Sequence, residues 1–263
     1  MSVQSLDRAF DIIELLSKES RSIPMTEIGR RLELHKSTVH RLLSSLRKRG
    51  YVEQEAESGN YKLGLGFVEL ASLYLNNLEL KTEASPFLHE LAKTTGQTAF
   101  LAIMDNTEVV YIDKAEVFNS LRRYTIIGKR LPLYVTSLGK AMLSGCSDRE
   151  IEDLYPERTL PRLTAKTLPT FDALMAEIRL TRDRGWAVDD EEREMGTRCI
   201  GAPIFDYRDR VIAGVSIAWE IKANPNLERK DCAQFVVRTA AQISVKMGCT
   251  RSRIRQLASQ SVL

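Results

Sequence analysis

Histidine is scarce in this chain of 263 residues, and its distribution limits the chemistry of the C-terminal part. Only His35, His40 and His89 occur, so residues 90–263 contain none. Ser–His and Cys–His nucleophile pairs, and most zinc sites, need an imidazole. The larger part of the chain therefore lacks the residues for these common kinds of catalysis.

Cysteine is also sparse, and no two cysteines form a CxxC pair. Free thiols without a disulfide framework are typical of a reducing compartment. No stretch approaches the roughly 18 apolar residues of a membrane span. Residues 1–16 carry three acids and no long apolar run, which is unlike a signal peptide. We therefore expect a cytoplasmic protein with no membrane association.

Glycine-rich phosphate loops are absent too. Gly64 and Gly66 are followed by Glu69 where a dinucleotide-binding loop needs its third glycine. Gly139-Lys140 has Tyr134 where a Walker loop needs its first glycine. We expect neither a cofactor nor a metal.

What the chain does have is the composition of a folded protein, 43% hydrophobic and 28% charged. Its length favours two domains. Apolar spacing predicts a helix over residues 3–16, with Ser5 as its cap, and a short second helix that Thr26 caps. After a turn at 32–35, a third helix is expected over 36–49, closing at Gly50.

This helix–turn–helix pattern carries a strong local charge. Residues 30–49 hold seven Lys or Arg and one acid, a local charge of +6 in a protein of net +3. With Val39, Leu42, Leu43 and Leu46 buried, the third helix presents a polar and basic face that suits base edges and phosphates. That face comprises Lys36, Ser37, Thr38, His40 and Arg41. Thr26 could add a phosphate contact to its capping role.

A β-hairpin is predicted over residues 51–63, directly after the third helix. As the wing of a winged helix-turn-helix, it would bring Asn60 and Lys62 to the DNA backbone or minor groove. The alternative is that the hairpin only completes the small core. The next helix, 67–80, has an apolar stripe at Phe67, Leu70, Tyr74 and Leu78, which predicts packing against a second copy of the chain.

The remainder alternates between helices and strands and predicts an α+β domain with an antiparallel sheet. Strands are expected at 98–104, 109–115, 121–126, 186–188, 198–205 and 211–219. Helices are expected at 83–94, 137–145, 148–154, 171–185 and 228–247.

Eight segments of the sequence resemble the IclR family of bacterial regulators. They are VQSLDRA (3–9), MTEI (25–28), KSTVHRLL (36–43), RGYV (49–52), RLPL (130–133), TSLGKA (136–141), RGWAVDDEE (184–192) and RCIGAPIFD (198–206). Their common order over residues 3–249 makes the resemblance specific. One departure is Glu33, where the family usually has a glycine in the turn.

The resemblance implies a winged helix-turn-helix DNA-binding domain over 3–64 and a linker helix over 65–80. It further implies a GAF-like effector-binding domain over 81–250, with a tail over 251–263. Family members are expected to bind partly palindromic double-stranded DNA operators as homodimers or homotetramers.

The resemblance also implies where an effector binds. Contacts are expected from Ser137 and Leu138, from Asp189 and Cys199, and from the pair Ser216 and Ala218, where the family pattern has a second hydroxyl. The N–H groups at the start of the helix at Ser137 favour a carboxylate, so the expected ligand is a small organic anion. Loss of that hydroxyl, with Trp219 next to it, favours a larger or more apolar ligand.

The sequence therefore predicts a DNA-binding transcriptional regulator that responds to a small molecule and is not an enzyme. Two alternatives remain. One is a small-molecule enzyme of the GAF-like class that uses a carboxylate or Cys199. The other is a binding module that acts through protein partners alone, which the basic third helix disfavours.

Overall fold

The structure, a computed structural model, describes residues 3–76, 79–116, 127–227 and 229–249. It divides into two compact units, residues 1–77 and 78–263. Within the described ranges, no helix combines the length and the apolar character needed to cross a bilayer.

The first unit has four helices and one hairpin in its described part. The helices are α1 (Gln4–Ser17), α2 (Met25–Arg31), α3 (Lys36–Lys48) and α4 (Gly66–Asn76), and the hairpin pairs β1 (Val52–Gln54) with β2 (Tyr61–Leu63). Its core contains Ile12 and Leu16 of α1, Ile28 of α2, and Val39, Leu43 and Leu46 of α3. The hairpin contributes Val52 and Tyr61 to this core. It therefore helps to complete the core, and a role in DNA contact would be additional.

Both predicted helix caps in this unit are wrong. Helix α1 starts at Gln4 after Val3, and α2 starts at Met25 after Pro24, in both cases without a side-chain cap. Pro24 has the extended backbone of an N-cap residue, which moves Thr26 inside the first turn. The closure of α3 at Gly50 is confirmed, because Gly50 has a φ of 76°, a conformation that favours glycine. Leu42, expected to be buried, is half-buried.

The second unit is built on a six-stranded antiparallel sheet in the order β5-β4-β3-β8-β7-β6. The strands are β3 (Thr98–Asp105), β4 (Glu108–Ala115), β5 (Arg130–Pro132), β6 (Ala187–Asp190), β7 (Thr197–Phe205) and β8 (Val211–Glu220). The short edge strand β5 was not predicted. The predicted strand at 121–126 lies outside the described residues.

The described residues of this unit form five α-helices: α5 (Glu79–Thr95), α6 (Ser137–Leu143), α7 (Asp148–Leu154), α8 (Phe171–Arg184) and α9 (Arg229–Lys246). Helix α6 packs on β7 and β8 at two glycines. A Cβ added at Gly201 would lie 2.8 Å from the backbone of Ser137, and one at Gly214 would lie 3.1 Å from Leu138. These glycines allow the first turn of α6 to lie directly on the sheet.

Candidate functional sites

The outward face of α3 has the composition expected from the sequence. Lys36, Ser37, His40 and Arg41 are exposed and Thr38 is half-buried, whereas Val39 is fully buried on the opposite side. The short hydroxyls and the cations therefore share one accessible surface, and Thr26, at the start of α2, is exposed as well.

Ion pairs neutralise part of the positive charge that the sequence places on residues 30–49. Arg30 and Arg31 both bind Glu27, at 2.7 Å, and Arg31 also binds Glu19, at 2.6 Å. These arginine hydrogen bonds lower the pKa of Glu27 from 4.5 to about 2. Among the described residues, Lys36 and Arg41 make no ion pair. The positive charge available to a phosphate is thus concentrated on α3 rather than on α2.

The wing residues are less available. Lys62 is exposed but lies 3.6 Å from Glu53 and 4.0 Å from Glu55, measured from Nζ to carboxylate oxygens. Asn60 is half-buried, and its backbone closes the turn by donating to Ser58 Oγ and accepting from the Glu55 N–H. The hairpin turn explains these contacts without a ligand.

In the second unit, one small cavity is lined by all six residues proposed for the effector. Ser137 and Leu138 come from α6, Asp189 from β6, Cys199 from β7, and Ser216 and Ala218 from β8. The register of the strands brings the residues of β6, β7 and β8 together, because Cys199 pairs with Asp189 on one side and with Ala218 on the other. The cavity offers about 20 Å³ to the centres of water molecules, which is room for about one water.

Four further residues line this cavity and were missed by sequence reasoning. Phe100 and Tyr111 form an aromatic wall, with their rings edge to face and the ring centroids 5.5 Å apart. Thr136 caps α6 by accepting from the Gly139 N–H at 2.9 Å. Arg193 brings a guanidinium from the loop after β6, where it also forms an ion pair with Glu194. Trp219 is not in the lining; it alternates with Ala218 along β8 and so lies on the other face of the sheet.

Buried charge surrounds the cavity. Asp189 is 1% exposed and accepts from the backbone N–H groups of Glu192 and Arg193, at 2.9 and 3.3 Å. Burial raises the pKa of Asp189, and the nearby Lys140 ammonium acts in the opposite direction. Its carboxyl group is thus fixed by the backbone at the cavity wall.

A buried ion pair lies directly behind Asp189. Lys140 is one turn into α6 and entirely buried, and its Nζ binds Glu192 Oε1 at 2.5 Å. Burial raises the pKa of Glu192, against the opposing effect of Lys140. Within the described residues, Glu192 Oε2 is buried without a hydrogen-bond partner. The pair connects α6, which carries Ser137, to the loop that carries Arg193.

The cavity has little that could perform catalysis. Cys199 is half-buried, and no histidine lines the cavity. Across the described residues, no group of three His, Cys, Asp or Glu side chains could hold a metal ion. The arrangement offers hydroxyls, one guanidinium and one buried carboxyl to a ligand, which is the chemistry of binding.

Known proteins match both units. The description "IclR helix-turn-helix domain" matches residues 5–56, and "Bacterial transcriptional regulator IclR C-terminal" matches residues 72–245. The chain belongs to the IclR family of DNA-binding transcriptional regulators. For this IclR-family chain, the regulator hypothesis and the α+β architecture with an N-terminal helix-turn-helix are confirmed, and the enzyme alternative is set aside.

Individual relatives agree with this assignment. The chain is 36% identical to the HTH-type transcriptional regulator XynR of Escherichia coli over 82% of this chain and 86% of XynR. The crystal structure of Thermotoga maritima IclR has a TM-score of 0.82 and 29% identity, covering 93% of this chain and 99% of that one. An IclR homologue of Microbacterium hydrocarbonoxydans, crystallised with 4-hydroxybenzoate, shares the fold at 21% identity, with a TM-score of 0.80 and coverage of 92% and 98%.

Proposed function

We propose that this regulator binds operator DNA through the exposed face of α3 and changes its DNA affinity when a small organic anion enters the cavity of the second unit. The proposed DNA contacts are Thr26, Lys36, Ser37, Thr38, His40 and Arg41, with Asn60 and Lys62 of the wing as secondary contacts. The proposed effector contacts are Ser137, Leu138, Asp189, Cys199, Ser216 and Ala218.

The observation that supports the effector site most strongly is convergence. Residues from one helix and three strands, separated by up to 81 positions in the sequence, line a single cavity. The first turn of α6 offers N–H groups to a carboxylate, and Arg193 adds a cation to the same wall. Ser216 and Asp189 suit a hydroxyl or keto group, and Phe100 with Tyr111 suits an apolar or aromatic part.

The domain limits and assembly also belong to this proposal. We propose a DNA-binding domain over 3–64, a linker over 65–80, an effector domain over 81–250 and a tail over 251–263, acting in the cytoplasm. The chain is proposed to work as a homodimer or homotetramer, since a two-fold reader matches a palindromic operator.

The DNA interface is tested by Lys36→Ala and Arg41→Ala. Each removes one cation that is free of ion pairs. Each should therefore reduce the slope of log K, the association constant for duplex DNA, against log salt concentration by about 0.9. Fluorescence anisotropy over a salt series measures this. Arg30→Ala is the matched control, because Arg30 is already bound to Glu27. Wild-type slopes in both α3 variants would contradict the interface.

The effector site is tested with a thermal-shift screen of carboxylic acids that includes aromatic and hydroxy acids. Ser137→Trp fills the cavity and should abolish the shift given by the best acid while DNA affinity stays unchanged. Ser216→Ala removes one hydroxyl only and should weaken binding by about 1 kcal/mol, roughly fivefold. An undiminished shift in both variants would place the ligand elsewhere.

A further inference from the structure

An open groove of about 690 Å³ lies between α1 and α3 in the first unit. Helix α3 supplies most of its lining, including His40, Arg41 and Lys48. Helix α1 contributes Ser5 and Arg8, which are three residues apart and so lie on the same side of that helix. No acidic side chain lines the groove.

The cations of this groove are not neutralised within the protein. Among the described residues, Arg8, Arg41 and Lys48 take part in no ion pair, whereas Arg30 and Arg31 in the same unit are held by Glu27. Arg8 is half-buried, and Arg41 and Lys48 are exposed. Although α1 also carries Asp7, Asp11 and Glu14, none of these acids forms an ion pair with Arg8 or lines the groove.

The hydroxyls of Ser5, Thr38, Ser44 and Ser45 add short hydrogen-bond donors to the same groove. Arg and Lys side chains together with Ser and Thr hydroxyls are the groups that bind DNA phosphate oxygens, and such contacts fix the register of a protein on the duplex. A groove with several cations, several hydroxyls and no acid is complementary to a polyanion.

We propose that this groove binds the DNA sugar-phosphate backbone and that Arg8, on α1 and so outside the α2–turn–α3 motif, is a phosphate contact. Arg8 then clamps the strand from the α1 side while Arg41 and Lys48 hold it from α3. This inference rests on the proposed DNA-binding role of α3 and adds a second helix to the interface. It predicts that the contribution of Arg8 is independent of DNA sequence, because phosphates carry no base information.

The test uses the full chain and a fluorescein-labelled, random-sequence duplex of about 30 base pairs, titrated by anisotropy from about 50 to about 200 mM salt. Arg8→Ala should weaken binding and reduce the slope of log K against log salt by about 0.9. Arg8→Lys should keep the wild-type slope, because it keeps the charge. Arg30→Ala should also keep it. Circular dichroism melts show whether each variant is folded.

The outcomes separate the two proposals. A wild-type slope for Arg8→Ala, together with a reduced slope for Arg41→Ala, would overturn the role of Arg8 and leave the α3 interface intact. A reduced slope in Arg8→Lys equal to that in Arg8→Ala would also overturn it, since a lost fold contact and not a lost charge would explain the effect. A wild-type protein that fails to bind the duplex at the lowest salt would remove both.

Discussion

At the scale of single residues, Lys140 and Glu192 form a buried ion pair whose charges are costly to remove from water. Lys140 is fully buried, and one oxygen of Glu192 has no partner among the described residues. Removing two charges from water costs several kcal/mol per ion, and the attraction between them offsets that cost only while both are present. We therefore expect the pair to fix the position of the loop after β6 and to add little net stability.

Lys140→Met tests this. The variant leaves a buried carboxylate without its counter-ion, so we expect a loss of about 3–5 kcal/mol in the free energy of unfolding, measured with urea. The double variant Lys140→Met, Glu192→Leu should recover the part of the loss that comes from Glu192, while the buried Asp189 still lacks the nearby cation. Lys166→Met is the control, because Lys166 is half-exposed in its pair with Glu191 and should cost less than about 1 kcal/mol. Equal losses for both lysines would contradict a special role for the buried pair.

At the scale of elements, Glu27 is the acid of α2 that binds both Arg30 and Arg31. The pKa of Glu27 is lowered from 4.5 to about 2 by these hydrogen bonds. A carboxylate with a lowered pKa stabilises the folded state above its unfolded pKa, and this contribution disappears as the pH falls from 4.5 towards 2.

Glu27→Gln should therefore melt at a lower temperature than wild type near neutral pH, and the difference should shrink below pH 4.5 and disappear as the pH falls through about 2. Thermal melts followed by circular dichroism measure this. Glu14→Gln is the control, since Glu14 forms no ion pair among the described residues. A difference that is constant with pH would show that the glutamate acts through packing and not through its charge.

Elements with strong periodicity were the most predictable part of the chain. Helix α7 was predicted with its exact limits, and α8 and β8 were predicted to within one residue, because apolar spacing and turn residues act locally. Strand β5 was missed because three residues are too few to show a period. The caps at Ser5 and Thr26 were wrong because the extended backbone at Val3 and Pro24 places each helix start one residue or more earlier.

The candidate effector site was predicted only in part, for a related reason. Ser137, Asp189 and Ser216 were predicted from the resemblance to the IclR family, and for Ser137 also from the expected start of a helix there. Phe100 and Tyr111 are ordinary strand residues whose role depends on which face of β3 and β4 they occupy. The pairing of strands distant in sequence decides this, and no local pattern reports it.

At the scale of the whole molecule, the first unit exposes apolar side chains of α4 that would be buried if that face of the helix packed against protein. On α4, Val68 is 58% and Leu70 is 51% exposed. Leu70 belongs to the predicted apolar stripe, as does Phe67, which packs on Tyr51 with ring centroids 5.1 Å apart. The side chains of Tyr74 and Leu78, also in that stripe, lie outside the described residues. Self-association through this helix stays a prediction.

The variant Leu70→Asp should break this association. Wild type should scatter light as a dimer or larger at micromolar concentration, and the variant should approach the mass of one 29.8 kDa chain. Leu180→Asp on α8 is the control, because Leu180 is equally exposed, at 55%, and lies in the other unit. A monomeric wild type would contradict the prediction.

The smallness of the cavity between α6 and the sheet has a consequence for timing. A space for about one water cannot admit a carboxylic acid of several non-hydrogen atoms until its walls separate. We therefore expect the walls of the cavity to move apart when a ligand enters. In stopped-flow mixing, the observed association rate should level off at high ligand concentration, with a plateau set by this opening step. How quickly a cell registers the effector is then set by that motion, however concentrated the effector becomes.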